Sequence, residues 1–467
     1  MKFFDRSTSR GTSRGPSFKS TLISALLFGS HLTSAITLDL SSTDSIKNAA
    51  KQVASNMIGY YSGEQPGQAV GNLPDPYYWW EAGAMFMTLV DYWYFTGDDQ
   101  YNKVVTNAML AQVGPNRDYM PPNQTKTEGN DDQGFWGFAA MTAAEERFPN
   151  PPADQPQWLA LAQAVFNSQA IRWDNNTCNG GLRWQIFTFN NGYNYKNTIS
   201  NGCFFALGAR LARYTGNTTY SDWANTMWDW VDGSGLVSKD YQFYDGTDVT
   251  INCTRQDHLQ WSYNLGVFLQ GAAYMYNYTN GSEVWKTRID GMLGQGLKTF
   301  LDPANPNVMF EVACEPYGKC NVDQRSFKAY LSRWLAAVVK MAPYTAPTVM
   351  PVLQASAQGA AAGCAGGQNG QQCGLKWSGG FDGSTGVGEN MAALQVIQSN
   401  LIGNVAGPVT QVDGGISTGN PAAGSGGTTS PDPTTTQPST VGGKIGAGIL
   451  TFLILVCLIG GAAWMVM

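Results

Sequence analysis

Two kinds of helical segment alternate along this chain, and that alternation limits its fold more than any other feature. One kind is rich in Gly, Ala and aromatic residues and has no polar face: "WWEAGAMFMTLVDYW" (79–93), "DDQGFWGFAAMTAAE" (131–145), "SNGCFFALGARLARY" (200–214) and "HLQWSYNLGVFLQGAAYMY" (258–276). The other, such as "SIKNAAKQVASNMIGYY" (45–61) and "SDWANTMWDWVDG" (221–233), keeps one polar face. A helix that is apolar all round is a buried one, and an amphipathic helix covers it. Helical spacing, with Asp, Ser, Thr or Asn at starts and Gly at stops, predicts helices near 44–60, 79–97, 99–113, 131–147, 157–172, 198–215, 219–232, 257–278, 283–299, 323–341, 349–362 and 388–402. The even-numbered ones are of the buried kind. Six inner and six outer helices in turn describe an all-α, double-layered (α/α)6 barrel.

No linker-like break interrupts 36–405, so a single domain is expected there. Its flanks read as processing signals. Lys2, Arg6, Arg10, Arg14 and Lys19 precede the short apolar run "STLISALLFGS" and the small-residue site "HLTSA", so 1–35 reads as a region with a secretory signal peptide. Residues 406–444 are rich in Gly, Ser, Thr and Pro, a composition that cannot bury a core. The apolar 445–467 carries no basic residue after it. That order matches a GPI-attachment signal, with the attachment residue between Ala422 and Ser439 and the tail removed. The expected location is the outer face of the plasma membrane or the cell wall.

Removing the leader takes five basic residues but only Asp5 among the acids, and the tail takes Lys444. The remaining chain is acidic, which argues against nucleic acid as a partner. His258 is then the last histidine and reads as a polar helix-start residue; no metal or other cofactor is expected. Cysteine usage fits an oxidising compartment. Cys314–Cys320 and Cys364–Cys373 are close pairs, Cys203 lies in an apolar helical run as a free thiol, and Cys178–Cys253 remains as the long-range bridge. Sequons at Asn123, Asn175, Asn217, Asn252, Asn277 and Asn280 agree with secretion. A monomer is expected.

If the inner helices run parallel, the long loops before them gather at one mouth. These loops, including 72–80, 117–130, 183–197, 240–256 and 312–324, are full of Tyr, Trp, Asn and Asp. Asp131 and Asp132 open the fourth helix and so point into that mouth. Acids in a first helical turn are favoured by the dipole alone, by ~0.3–1 kcal/mol each. Here the pair precedes aromatics on a buried helix, where an unpaired charge is costly. Two carboxylates among tryptophans and amides suit glycoside hydrolysis. Neighbours at a helix start cannot hold their carboxyls ~6.5–9.5 Å apart, as inversion requires, whereas the ~5–5.5 Å of a retaining pair is within reach. Like charges so close also raise one pKa, which supplies a proton donor.

The motifs "GNDDQGFWGFAAMTAAE", "YYWWEAGAMF", "NGGLRW" and "YKNTISNGCFFALGARLARYTGN" together resemble family-76 glycoside hydrolases, the endo-α-1,6-mannanases, over essentially the whole folded part. With the processing signals, the chain resembles the fungal GPI-anchored branch involved in cell-wall biogenesis. The resemblance implies an (α/α)6 barrel, Asp131 as nucleophile and Asp132 as general acid/base. It also implies α-mannose glycans as substrate, mannan or the mannose core of GPI anchors, with wall β-glucan as acceptor in a transfer reaction. Further candidates for binding are Trp79, Trp80, Trp136 and Trp184 as stacking platforms, Glu81 for hydroxyls, and Lys196 and Arg255 for phosphates. Asn130, Gln133, Asn201 and Asp257, at expected helix starts where capping is the default explanation, are substrate-binding candidates too. The alternative is a non-catalytic carbohydrate-binding or structural wall protein on the same barrel, which would not need both acids.

Overall fold

The computed structural model describes residues 35–425 and Thr451. The expected leader up to Ser34, the chain after Ser425 and the rest of the apolar tail lie outside the described residues. Among the described residues the α-helices are α1 (Thr43–Ile58), α2 (Trp79–Thr96), α3 (Asn102–Ala111), α4 (Asn130–Glu145), α5 (Trp158–Ile171), α6 (Thr198–Thr215), α7 (Thr218–Gly233), α8 (Ser262–Tyr278), α9 (Glu283–Gly291), α10 (Phe327–Met341), α11 (Ala346–Ala362) and α12 (Val387–Ser399). The even-numbered helices form a closed ring, each packing on the next and α12 returning to α2. The odd-numbered helices back onto it, α3 on α2, α5 on α4 and α6, α7 on α6, α9 on α8, α11 on α10 and α12, and α1 on α12 and α2. This is an (α/α)6 barrel.

Close packing explains the small residues of the inner helices. A Cβ added at Gly83 of α2 would lie 2.8 Å from the Trp136 ring of α4, and one at Gly134 of α4 would lie 2.7 Å from Cys203 Cβ of α6. Larger residues at either position would push neighbouring staves apart. Several ends differ from the sequence expectation. Helix α8 begins at Ser262, because Gln256–Asp257 is drawn into a strand, so Asp257 and His258 do not start a helix. His258 instead stacks on Tyr244, with ring centroids 4.1 Å apart. The ninth segment loosens after Gly291 into a π turn and a 3-10 turn. Helix α11 starts at Ala346 and accommodates Pro351.

Among the described residues, three small antiparallel sheets lie between helices. Strands β1 (Tyr195–Asn197), β2 (Gly246–Asp248) and β3 (Gln256–Asp257) pair in that order. Strand β4 (Leu301–Asp302) pairs with β5 (Asn305–Met309), and β6 (Cys364–Gly366) with β7 (Gln372–Cys373). The disulfides are Cys178–Cys253, Cys314–Cys320 and Cys364–Cys373, the last joining directly paired residues of β6 and β7. Cys203 is a buried free thiol. All six sequon asparagines are exposed. No helix among the described residues is long and apolar enough to cross a membrane.

The inner helices are parallel. Their first turns surround an open cavity, while residues from their second halves line a small one of about 40 Å³ at the other pole. That closed pole holds buried ion pairs, Arg333–Asp91 at 2.8 Å and Arg210–Glu145 at 2.7 Å. Residues 406–425, expected to begin a linker, are instead seated on the barrel. The Val409 amide donates to Glu145 O (2.9 Å) and the Gln411 amide to Tyr214 O (2.8 Å), beneath the ring. The Ser417 hydroxyl accepts from the Leu159 amide (2.9 Å), and the Asn420 amide donates to Gln163 Oε1 (2.6 Å), along α5.

Candidate active site

Asp131 and Asp132 occupy the first turn of α4 and both line the open cavity, of about 210 Å³. The rest of its wall comes from Trp80 in the first turn of α2, Phe135 in the second turn of α4, Trp184, Tyr195 and Asn197 from the loop before α6, Asp245 just before β2, Tyr263 in the first turn of α8, and Asp323 and Phe327 at the start of α10. The cavity thus sits on the barrel axis, at the mouth.

The two aspartates have different surroundings. Asp131 Oδ2 accepts from Asn197 Nδ2 (3.1 Å), and its Oδ1 accepts from the Asp132 amide (3.1 Å). Asp132 Oδ2 accepts from the Gly129 amide (2.7 Å), which closes the helix start. Burial pushes the Asp131 carboxyl up to about 7, opposed by the hydrogen bonds from Asn197 and the backbone. Asp132 is raised well above its ordinary value, first by burial and then by the charge of Asp131. Hydrogen bonds to the ionised form favour it. The pair therefore holds one proton over an interval, and the hydrogen bond from Asn197 favours Asp131 as the anion.

Below the pair the scaffold is fully engaged. Asn130 donates to Arg183 O (2.8 Å) and accepts from Arg172 Nε (2.8 Å), and its backbone amide donates to Trp184 O (2.8 Å). Gln133 donates to Asp118 O (2.8 Å) and Ser168 Oγ (3.0 Å) and accepts from Arg172. Both side chains are buried and tied into the scaffold, contrary to the sequence expectation. Both fix the start of α4 instead. Asn201 likewise locks the loop before α6, through Leu182 N (2.7 Å), Leu182 O (3.0 Å) and Asn197 O (2.7 Å).

Other candidates separate by position. Trp80 and Trp184 line the cavity, and Trp80 Nε1 donates to Asp323 Oδ1 (3.1 Å). Trp79 and Trp136 do not line it. They stack on each other at 5.4 Å, and Trp136 also stacks on Tyr119, which binds α2, α4 and the loop before α4 into one apolar layer. Glu81 is buried and accepts the Tyr78 amide (2.9 Å) as a helix cap, with burial raising its pKa to about 8. Lys196 faces away from the mouth. Alternate residues of a strand point to opposite sides, so Tyr195 and Asn197 of β1 reach the cavity while Lys196 turns inward. There its ammonium donates to Thr177 O (2.8 Å), Gly180 O (2.6 Å) and Asp174 O (3.2 Å). Arg255 is exposed near the β2–β3 turn and is not part of the cavity wall. Asp257 is exposed on β3 and accepts the Leu259 amide (3.1 Å).

Sequence reasoning did not single out Phe135, Tyr195, Asn197, Asp245, Tyr263, Asp323 or Phe327. Most of them lie within three residues of an inner helix start, which is the signal that finds them. Asp245 accepts from Tyr195 OH (2.7 Å), and burial raises its pKa. Asp323 is pushed up to about 6 by burial. Among the described residues, four carboxyls thus face one cavity and no Lys or Arg side chain lines it.

Residues 45–412 match the description of glycosyl hydrolase family 76. The chain belongs to this family. It is 47% identical over 446 residues to the mannan endo-1,6-alpha-mannosidase DCW1 of Saccharomyces cerevisiae, covering 94% of this chain and 97% of that protein. Among solved structures it is similar to Dfg5 from Chaetomium thermophilum in complex with glucosamine, at 48% identity and a TM-score of 0.80, covering 83% of this chain and 97% of that one. An inactive variant of an alpha-1,6-mannanase from a Salegentibacter species, in complex with alpha-1,6-mannotriose, shares the fold at 14% identity and a TM-score of 0.62. It covers 76% of this chain and 99% of that one.

Proposed function

We propose that this glycoside hydrolase is a retaining endo-α-1,6-mannosidase that also transfers glycans, with Asp131 as nucleophile and Asp132 as acid/base. The observation that carries this reading is the pair itself: adjacent carboxyls on one cavity wall, Asp131 accepting from Asn197 Nδ2, and Asp132 raised by burial and by the charge of Asp131. Asp132 gives its proton to the glycosidic oxygen while an Asp131 oxygen bonds to the anomeric carbon and the C–O bond breaks. Asp132 then takes a proton from the acceptor hydroxyl, which displaces Asp131 and restores the pair. Water as acceptor gives hydrolysis and a sugar hydroxyl gives transfer. Trp80, Trp184, Tyr263 and Phe327 supply flat faces for the sugar rings.

The substrate we propose is an α-1,6-linked mannose chain, the mannose core of GPI glycans included, with wall β-glucan as acceptor. The names of its close relatives support the mannan linkage. The leader, the polar linker and the apolar tail support secretion and a GPI anchor at the outer face of the plasma membrane or in the wall. The test is to incubate the purified ectodomain with α-1,6-mannotetraose, with and without a β-glucan oligomer. Product mass separates hydrolysis from transfer, and anomer analysis by NMR reads retention. Full activity in both Asp131→Asn and Asp132→Asn, or an inverted product, would overturn the proposal.

A further inference from the structure

The last described stretch of chain takes a path that a plain linker would not. After α12 the chain is beneath the closed pole, where the Lys340 ammonium donates to Val405 O (2.7 Å) and Arg213 donates to Pro408 O (2.9 Å) and Val409 O (3.2 Å). It then turns and climbs the outer wall alongside α5. Ser417 meets Leu159 at the foot of that helix, Asn420 meets Gln163 one turn higher, and Asn167 Nδ2 donates to Pro421 O (2.9 Å) and Ala423 O (2.7 Å) higher still. A Cβ added at Gly424 would lie 2.4 Å from Ala164 O, so the strap lies flush on the helix. The direction of α5 is fixed at both ends. Trp158 at its start donates to Pro149 O (3.0 Å) just after α4 ends, and Arg172 just beyond its end donates to Asn130 beside the catalytic pair.

We infer that this strap is an orienting device: it moves the membrane tether from the closed pole toward the mouth, so that the mouth pole faces the lipid surface and takes glycans attached to that same surface. The inference rests on the reading of residues after Ser425 as a tether to a GPI anchor. Gly424, against Ala164, lies midway along α5 and about two helical turns, ~11 Å, below its mouth-side end at Ile171. If attachment falls no later than Ser439, the fourteen intervening residues reach at most ~50 Å. An exit at the foot of α5 would use up ~21 Å of that reach on the helix alone. The height of exit therefore biases which end of the barrel the tether brings next to the bilayer. The N-terminus supplies the opposite case, because Thr43 at the start of α1 accepts from Asn404 beneath the closed pole (2.8 Å).

The experiment uses residues 36–444 held on phosphatidylcholine vesicles by a hexahistidine tag and nickel-chelating lipid, with an acceptor dye on a second lipid. The tag follows Lys444 in one form. In the other it precedes Ile36 through a spacer of equal length, which leaves the fold untouched. A donor dye is placed by Leu259→Cys in the mouth loop before α8 or by Val284→Cys at the closed-pole start of α9, both exposed positions. With the C-terminal tag, energy transfer to the lipid should be stronger from position 259, and with the N-terminal tag stronger from position 284. Cleavage of an α-1,6-mannosyl glycolipid in the same vesicles should be about tenfold faster for the C-terminal form, as an effective-concentration effect. Soluble mannotetraose should be cleaved equally by both. Equal transfer from the two positions, or the same order with both tags, would overturn the orientation even if the anchor is real. Failure of phosphatidylinositol-specific phospholipase C to release the full chain from cells would overturn the anchor reading, and with it the lipid surface as occupant, whatever the vesicles show.

Discussion

Asn197→Asp isolates the electrostatic role of a single hydrogen bond. Asn197 performs two tasks: its Oδ1 accepts the Ser200 amide as the cap of α6 (3.3 Å), and its Nδ2 donates to Asp131 (3.1 Å). Aspartate has the same shape and caps a helix as well as asparagine does, so the first task survives. The second is lost and replaced by a like charge. A hydrogen bond to an ionised group contributes ~1.5–3 kcal/mol, and a tenfold change in an acid's ionisation corresponds to about 1.36 kcal/mol. The Asp131 pKa should therefore rise from about 7 to roughly 8 or 9. The proposed mechanism needs Asp131 ionised, so the acidic limb of kcat/KM should move to higher pH by the same amount. Below the limb, activity should fall about tenfold for each pH unit that the limb moves, and recover as pH is raised. The assay is hydrolysis of α-1,6-mannotetraose from acid to alkaline pH, with thermal unfolding of each variant in parallel. An unmoved acidic limb with uniformly lower activity would mean that Asn197 only contacts sugar. A large fall in melting temperature would mean that the cap had dominated. Either result refutes the electrostatic argument.

Other expectations follow from the same geometry. Asp323 raises the Asp131 pKa through its charge, so Asp323→Asn should move the acidic limb to lower pH, the opposite sign to Asn197→Asp, in the same profile. The folded-state pKa of Asp131 lies above its unfolded value, so the folded form binds the extra proton and stability falls as pH rises from about 4 through about 7. Asp131→Asn should remove that loss, stabilising the inactive protein by ~2–4 kcal/mol at pH 8 and by little at pH 4, as read by urea denaturation. Lys196→Met leaves three carbonyls without their buried donor, while Asp174 keeps its pair with Arg183, and should cost about 1–3 kcal/mol in the same assay. Gly134→Ala should destabilise by ~1–3 kcal/mol through its contact with Cys203 Cβ. Cys203→Gly should restore part of that loss, whereas Cys203→Ala, which keeps the offending carbon, should not.

The barrel was legible because burial on all sides leaves a compositional mark: α4 and α6 are apolar around their whole circumference, and no helix on a surface can be. Asp131 and Asp132 stood out for the complementary reason, two acids at the tip of such a helix. The wall of the cavity was less legible. Asn130, Gln133 and Asn201 have the same residue types as sugar ligands, and only their hydrogen-bond partners show that they are already engaged. Lys196 and Asn197 are neighbours in sequence, yet the pleat of a three-residue strand sends one into the scaffold and the other to Asp131. A short strand inside a long loop has no periodicity by which to be found. The strap was missed because its Gly, Ser and Pro residues are those of a linker, and only contacts such as Gly424 against Ala164 distinguish the two.

The parallel run of the inner helices bears on the chemistry as well as the fold. Six helix N-termini converge at the mouth, each equivalent to roughly half a positive charge, and six C-termini converge at the closed pole with the opposite sign. The side chains follow that field. Asp131, Asp132, Asp245 and Asp323 face the mouth cavity without a cation on its wall, while the closed pole takes in Arg210, Arg333 and Lys340 together with its acids. The helix termini thus offset part of the desolvation cost of four clustered carboxyls, without placing a mobile cation against them. That distinction matters for a glycosidase. A lysine or arginine in the cavity would pair with Asp131, lower its pKa and compete with the oxocarbenium-like centre for its electrons. Backbone dipoles instead hold the carboxylate from behind and leave its outer lone pairs free for the sugar.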